Sequence, residues 1–145
     1  MAKNLQVFSQ DSSINKRAVH SLISSIKKEF YLDISSLSIS FINSEELREI
    51  NKEYLNHDYE TDIITFNYSK KPKEIDGEIL VSYEEAKRNA KIFNVTYGKE
   101  LSRLVIHGML HLLNFDDNNK ENKKIMKRME NKLILSYNFT LFAGK

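Results

Sequence analysis

The chain has 145 residues, of which 41% are hydrophobic, and this predicts one globular domain over residues 1–145. It has no cysteine, which excludes a disulfide framework and a thiolate metal site, while the net charge of +2 excludes no class of partner. No apolar run approaches the roughly 20 residues of a membrane-spanning helix, and the N-terminal residues lack a signal-peptide pattern. We therefore expect a cytoplasmic protein with no membrane partner.

The first third of the chain alternates strand and helix patterns. Residues 5–9 suit a short strand, and Asn15 suits the N-cap of a helix whose apolar residues recur every three or four positions. Residues 36–41 alternate serine with large apolar residues, which is the period of a half-buried strand. Strand, helix and strand in this order predict a parallel pair joined by a right-handed crossover. Asn43 and Glu46 have capping-box spacing for a second helix that ends near Tyr54.

The middle of the chain predicts two further strands. Residues 63–66 are β-branched or aromatic, so we expect a strand near the centre of the sheet. Residues 67–76 are rich in lysine and contain the single proline, which is typical of a connection. Residues 77–81 predict another buried strand. Because no helical pattern separates these two strands, they are expected to pair antiparallel within a mixed sheet.

Three more helices are expected after these strands. Ser82 and Glu85 form a capping box for the third helix, residues 94–98 form a turn, and a strongly apolar fourth helix follows. Asn118 and Glu121 have capping spacing for the fifth. The predicted fold class is therefore α/β (α+β), with a small mixed four-stranded sheet packed with about five helices.

The fourth helix contains HGMLHLLNFDD, residues 107–117. His107 and His111 lie on one helix face, so both imidazoles can converge on one metal ion. Asn114 tolerates the left-handed conformation of a helix C-terminus, which would let the chain bring Asp116 or Asp117 back towards the rings. Two histidines and one carboxylate with an open position form a known catalytic zinc set. Structural histidines are the alternative, although unpaired imidazoles in so apolar a helix would cost free energy.

The segment from Lys120 to Lys132 is basic, because six lysines and arginines stand there against two glutamates. Such a segment could contact the phosphates of a nucleic acid. The alternative is the solvated face of the fifth helix, and the sequence alone favours that interpretation.

Three stretches together resemble the YbeY family of bacterial rRNA-maturation endoribonucleases. Residues 107–117 resemble the family's HGxLHLxGYDH, residues 51–66 resemble NxxYR…D.PTDVLSFP, and residues 77–82 resemble GDIxIS. The stretches occur in the family's order and lie within residues 43–130. In the first motif the matching residues are His107, Gly108, Leu110, His111, Leu112 and Asp116.

The resemblance implies a compact α/β domain and one metal ion held by three histidines. It also implies a single-strand-specific, metal-dependent endoribonuclease that acts in rRNA maturation. Family members process the 3′ end of 16S rRNA, serve in ribosome quality control and work with the small ribosomal subunit.

The chain departs from the family's pattern at five positions. Asp117 stands in place of the third histidine, and Asn114, Phe115, Glu60 and Leu55 stand in place of Gly, Tyr, Pro and a substrate-contacting Arg. Since aspartate can ligate zinc, we expect His107, His111 and Asp117 to hold one zinc ion, or another divalent transition metal. The added negative charge would reduce the Lewis acidity of the metal and raise the pKa of its bound water.

Four further residues are candidates for supporting roles. Arg103, one helical turn before His107, is a candidate catalytic residue that replaces the missing phosphate contact; a surface ion pair is the alternative. Asp116 is expected to orient a ligand by a hydrogen bond from outside the coordination sphere, or else to cap the next helix. His57 and Asp58 are expected to contact the substrate, with turn chemistry as the alternative.

Two other functions remain open at this point. One is a ribosome-assembly binding factor whose metal is mainly structural. The other is a metal-dependent hydrolase of a different bond, such as a peptide, although the helix lacks the glutamate of HExxH peptidases. The sequence determines neither the metal, nor the cleavage site, nor the oligomeric state.

Overall fold

The computed structural model describes residues 3–57 and 61–137. In chain order these form β1 (Leu5–Ser9), α1 (Lys16–Phe30), β2 (Asp33–Ile42), α2 (Ser44–Leu55), β3 (Ile63–Asn67), β4 (Glu74–Ser82), α3 (Tyr83–Phe93), α4 (Tyr97–Leu112) and α5 (Lys120–Ser136). The strands form one sheet in the order β1-β2-β4-β3. Strand β2 pairs in parallel with β1 and β4, and β3 pairs antiparallel with β4. The predicted fold class and both predicted strand pairings are confirmed.

Side-chain caps begin the first three helices where the sequence predicts them, whereas the starts of the last two are shifted. Helix α4 begins at Tyr97, within the predicted turn 94–98, because Thr96 caps it. Asn15, Asn43 and Ser82 each accept a hydrogen bond from the backbone N–H three residues later. The fifth helix is capped by Asn119 and not by Asn118, because it is the Asn119 side chain that accepts from the backbone of Asn122. Spacing rules cannot separate two adjacent asparagines, since either residue type can serve as the cap.

Strand β3 lies at the edge of the sheet, so the expectation of a position near its centre is wrong. The strand is apolar because other elements of the protein pack against both of its faces. Ile64 packs in a cluster with Leu47 of α2, whereas Ile63 packs against the main core on the side of α4. The following connection is also shorter than expected, because β4 already begins at Glu74, which pairs with Asp33 of β2.

Helix α4 packs against β3 and β4 and contacts both α3 and α5. Gly108 permits this close approach to the sheet. A Cβ atom at that position would lie 2.9 Å from Ile79 Cγ2 and 3.2 Å from Ile63 Cδ1. Because a larger residue would force either the helix or Ile79 to shift, this glycine allows the helix that carries His107 and His111 to lie close to the sheet.

None of the helices in the described ranges combines the length and the apolar character that crossing a membrane requires.

Candidate metal centre

The structure brings three predicted ligands together at the C-terminal end of α4. The Nε2 atoms of His107 and His111 are 3.1 Å apart. Asp117 Oδ2 lies 3.6 Å from Nε2 of His107 and 3.8 Å from Nε2 of His111. Ligands of one tetrahedral zinc ion lie about 3.3–3.5 Å from each other, given bonds of about 2.0–2.2 Å. The donors are therefore spaced to hold one such ion, and their N₂O chemistry suits a transition metal.

A tight turn at the end of α4 positions the carboxylate. Asn114 has φ of 71°, in the left-handed region. Its N–H donates to the carbonyl of His111, and the N–H of Phe115 donates to the carbonyl of Leu110. These two bonds define a Schellman motif, which reverses the chain directly after the helix. Asparagine is the residue that most readily replaces glycine in this conformation, so Asn114 preserves the turn and returns Asp117 to the imidazoles.

The second nitrogen of His107 has a carboxylate partner that the sequence did not suggest. Nδ1 of His107 contacts Oε2 of Glu130, a residue of α5 that is only 3% exposed. A carboxylate at this position favours the tautomer with its proton on Nδ1, which leaves Nε2 available to a metal. Carboxylate–histidine pairs of this kind orient the ring and increase its basicity as a ligand.

Arg103 connects this pair to a second buried carboxylate. Its Nε and Nη2 atoms donate to the two oxygens of Glu100 at 2.8 and 2.7 Å. Its Nη1 lies 3.5 Å from Glu130 Oε1, and Nη2 lies 4.0 Å from Asp62 Oδ2. Asn89 donates to both Asp62 and Glu100, which closes the network. The hydrogen bonds to Glu100 are the main cause of the raised pKa of Arg103.

The local electrostatics favour a neutral imidazole at His111. Burial lowers the pKa of His111, and His107 lowers it further, although Asp117 and other nearby carboxylates act in the opposite direction. A histidine binds a metal ion only through an unprotonated nitrogen. Its lowered pKa therefore keeps His111 in the binding form over a wider range of pH than a free histidine.

The remaining candidate residues lie around this cluster or outside the described residues. The exposed side chain of Asp116 accepts a hydrogen bond from Asn122 in the first turn of α5, at 2.6 Å. His57 is exposed just after the end of α2. Asp58, the other candidate for substrate contact, lies outside the described residues.

Comparison with known proteins shows to which family the chain belongs. The family model described as endoribonuclease YbeY matches residues 3–138. The chain belongs to this family. A Parabacteroides distasonis protein named endoribonuclease YbeY is 36% identical over 122 residues, which cover 84% of this chain and 85% of that protein. A Flavobacterium johnsoniae protein of the same name is 42% identical over 97 residues, 67% of this chain and 69% of that protein.

A solved structure also shares the fold. The solution structure of TM1509 from Thermotoga maritima is similar with a TM-score of 0.64 and 25% sequence identity, covering 92% of this chain and 91% of that one. The resemblance inferred from the three sequence motifs is thus confirmed.

Sequence reasoning missed Glu100 and Glu130, although a signal was available for both residues. Glu130 falls between Met126 and Leu133 on the buried side of α5. A carboxylate within an apolar stripe is rarely buried unless it is paired. Such an acid, in the helix that follows a two-histidine helix, is a candidate to support a metal ligand. Glu100 offers a similar signal beside Leu101 and Leu104 of α4.

Proposed function

We propose that this protein is a metal-dependent endoribonuclease that cleaves single-stranded segments of rRNA during ribosome maturation. The observation that carries this proposal is the convergence of His107, His111 and Asp117 in a chain of the YbeY family. We assign one zinc ion to these three ligands, with another divalent transition metal as the second choice. The two imidazoles and single carboxylate are the reason for the choice of zinc.

The chemistry divides between the ion and the chain. When bound, zinc would supply Lewis acidity towards the phosphate and a lowered pKa for an attacking water. Glu130 holds His107 by Nδ1 and so fixes the direction of its Nε2. Glu100 and Arg103 in turn hold Glu130, because Arg103 bridges the two carboxylates. A preorganised ligand set of this kind needs little rearrangement during the reaction.

The neighbouring residues have supporting roles in the same proposal. Arg103 would stabilise the charge of the phosphate. In the structure it forms an ion pair with Glu100, and an ion pair is the alternative role that the sequence analysis gives for this residue. Asp116 would orient a ligand, and His57 with Asp58 would contact the RNA. We further propose that the chain acts as one domain in the cytoplasm and that its RNA belongs to the small ribosomal subunit.

The decisive experiment combines metal analysis with RNA cleavage. Purified protein should contain about one transition-metal ion per chain, and it should cleave a labelled single-stranded rRNA fragment. A chelator should abolish cleavage, and added zinc should restore it. Protein that holds the metal and binds RNA without cleaving it would contradict the proposal and favour a ribosome-assembly binding factor. Cleavage of a peptide in place of RNA would favour a different hydrolase.

A further inference from the structure

A recess lies on α4, one helical turn before His107. Its volume is about 280 Å³, and it is formed where the end of α3 meets α4 and α5. We call it the α3–α5 groove and define it by Phe93, Lys99, Arg103, Lys127 and Ile134. None of the three metal ligands lines it, so it is a separate surface from the metal centre.

The groove contains an exposed aromatic ring. Phe93 is the last residue of α3, and 56% of its surface is exposed. Asn94 follows in the left-handed conformation and turns the chain towards α4, which leaves the ring at the end of its helix. The guanidinium carbon of Arg103 lies 5.9 Å from the ring centroid. Exposed aromatic rings beside cations are the platforms on which bases of single-stranded nucleic acids stack.

The charge of the groove favours an anionic occupant. Lys99 and Lys127 contribute two exposed positive charges to its lining. The charges of Arg103 and Glu100 offset each other, because both oxygens of the buried Glu100 carboxylate accept hydrogen bonds from Arg103. Lys127 belongs to the basic segment 120–132, so this segment contributes one of its positive charges to the groove.

The groove and the metal centre lie along one row of α4 side chains. Lys99, Arg103, His107 and His111 follow each other at intervals of four residues, so each side chain neighbours the next along the helix, and the row winds about 120° around the helix from Lys99 to His111. Four residues of α-helix rise about 6 Å. Arg103 therefore lies one turn from the first metal ligand, and an extended polymer bound in the groove would be directed along α4 to the metal.

We propose that the α3–α5 groove is a binding subsite for single-stranded RNA. One base stacks on Phe93, and the flanking phosphates pair with Lys99 and Lys127. This subsite rests on the proposed function, because its occupant is the substrate of the metal centre. It goes beyond that function because it assigns part of the RNA affinity to side chains that do not bind the metal ion.

The test measures equilibrium binding of a fluorescent, hydrolysis-resistant analogue of single-stranded RNA of mixed sequence to the metal-loaded protein, with a gel to verify that the strand stays intact. Phe93→Leu should weaken binding at least about fivefold, the low end of base–aromatic stacking. Phe93→Tyr should retain the affinity, because it keeps an aromatic face. Ile92→Ala is the matched control, since Ile92 is a 69% exposed neighbour on α3 that does not line the groove.

The phosphate contacts have a separate readout in the salt dependence. The double variant Lys99→Gln with Lys127→Gln should reduce the slope of log affinity against log salt by about 1.4, which is two contacts at about 0.7 each for single strands. The control removes two exposed positive charges from the first turn of α1, by Lys16→Gln with Arg17→Gln. That control should leave the slope unchanged.

The possible outcomes separate this inference from the proposed function. Unchanged RNA affinity in the Phe93→Leu and lysine variants of a protein that cleaves RNA would overturn the subsite and leave the nuclease intact. Weakened binding in the same variants of a protein that never cleaves RNA would support the subsite and contradict the nuclease. A wild-type protein with no affinity for RNA would overturn both.

Discussion

The two ends of α4 differ in how firmly their side chains are held. At the C-terminal end His107 is tied to the buried Glu130, and a fixed turn at Asn114 returns Asp117 to the rings. At the N-terminal end Phe93 and Lys99 are exposed side chains on the rim of a groove. The difference corresponds to the two tasks we assign, since metal chemistry demands fixed geometry whereas sequence-tolerant RNA binding needs only stacking and charge. Substitutions should consequently have steep effects at one end and graded effects at the other.

The largest expected effect is the loss of metal from variants of the two histidines. His107→Ala or His111→Ala should abolish stoichiometric metal, because each leaves only two of the three protein ligands. Elemental analysis of protein dialysed against buffer measures this directly. His57→Ala provides the matched control, since it removes an exposed imidazole outside the cluster and should keep the metal. Full metal content in either ligand variant would rule out the proposed centre.

The contrast between the two ends also explains what the sequence could and could not predict. Within the described ranges, periodicity and caps predicted the four strands and the five helices, because those signals are local in the chain. Chain order predicted two of the three strand pairings and did not predict the parallel pairing of β2 with β4. The spacing of His107 and His111 predicted two of the three residues that converge in the candidate metal centre for the same reason, and Asn114 predicted the turn. The edge position of β3 was missed because an apolar strand is expected wherever both of its faces are buried. Ile63 and Ile64 pack on opposite faces of β3, and this composition does not depend on the position of the strand in the sheet.

The supporting network was missed because it depends on contacts between distant parts of the chain. Glu130 meets His107 across the α4–α5 interface, 23 residues away in sequence. Asp62 lies just before β3 and reaches Arg103 and Asn89 only once the sheet and helices have packed. No local period encodes such pairs, and a buried carboxylate in an apolar stripe indicates only that some partner exists.

The next largest effect is a loss of zinc affinity at Asp117, and the adjacent Asp116 provides the comparison. Asp117→Asn should weaken zinc binding strongly, because an amide oxygen is a poorer ligand than a carboxylate. Asp116→Asn is the matched variant and should change zinc affinity little, since the structure describes Asp116 in a hydrogen bond with Asn122. Competition with a chromogenic chelator measures both affinities. A larger loss in Asp116→Asn than in Asp117→Asn would mean that the third ligand is assigned to the wrong residue.

A smaller effect is expected from the carboxylate behind His107. Glu130→Gln keeps the size of the side chain and removes its charge, so zinc affinity should fall about 10–100-fold while the fold is retained. Cobalt substitution would supply a second readout, because the absorption bands of the bound ion report ligand geometry. Glu121→Gln, an exposed site in the first turn of the same helix, serves as the control. If both variants bound zinc as the wild type does, Glu130 would have only a structural role.

The smallest effect is expected at the N-terminal end of α4, far from the metal ligands. The hydroxyl of Tyr97 donates to Asp11 Oδ2 at 2.7 Å and so ties the first turn of α4 to the loop after β1. Burial opposes ionisation of Asp11, but hydrogen bonds from Ser13 and Tyr97 outweigh it and hold the pKa of Asp11 below its ordinary 3.8. A carboxyl with a lowered pKa in the folded state stabilises the protein above its unfolded pKa, and this contribution is lost as the pH falls through the folded value.

Tyr97→Phe should accordingly lower the free energy of unfolding by about 1–2 kcal/mol at neutral pH, since a hydrogen bond to a charged group is removed while the ring remains. Urea unfolding of the metal-free protein measures the loss, and it should shrink when the same comparison is made at acidic pH, where Asp11 is protonated. Tyr31→Phe is the control, because Tyr31 is 86% exposed at the end of α1. Zinc affinity should be unchanged in both variants, since neither residue contacts the metal ligands. A large fall in zinc affinity in Tyr97→Phe would show that the two ends of α4 are coupled, and it would contradict the separation of the metal centre from the groove end.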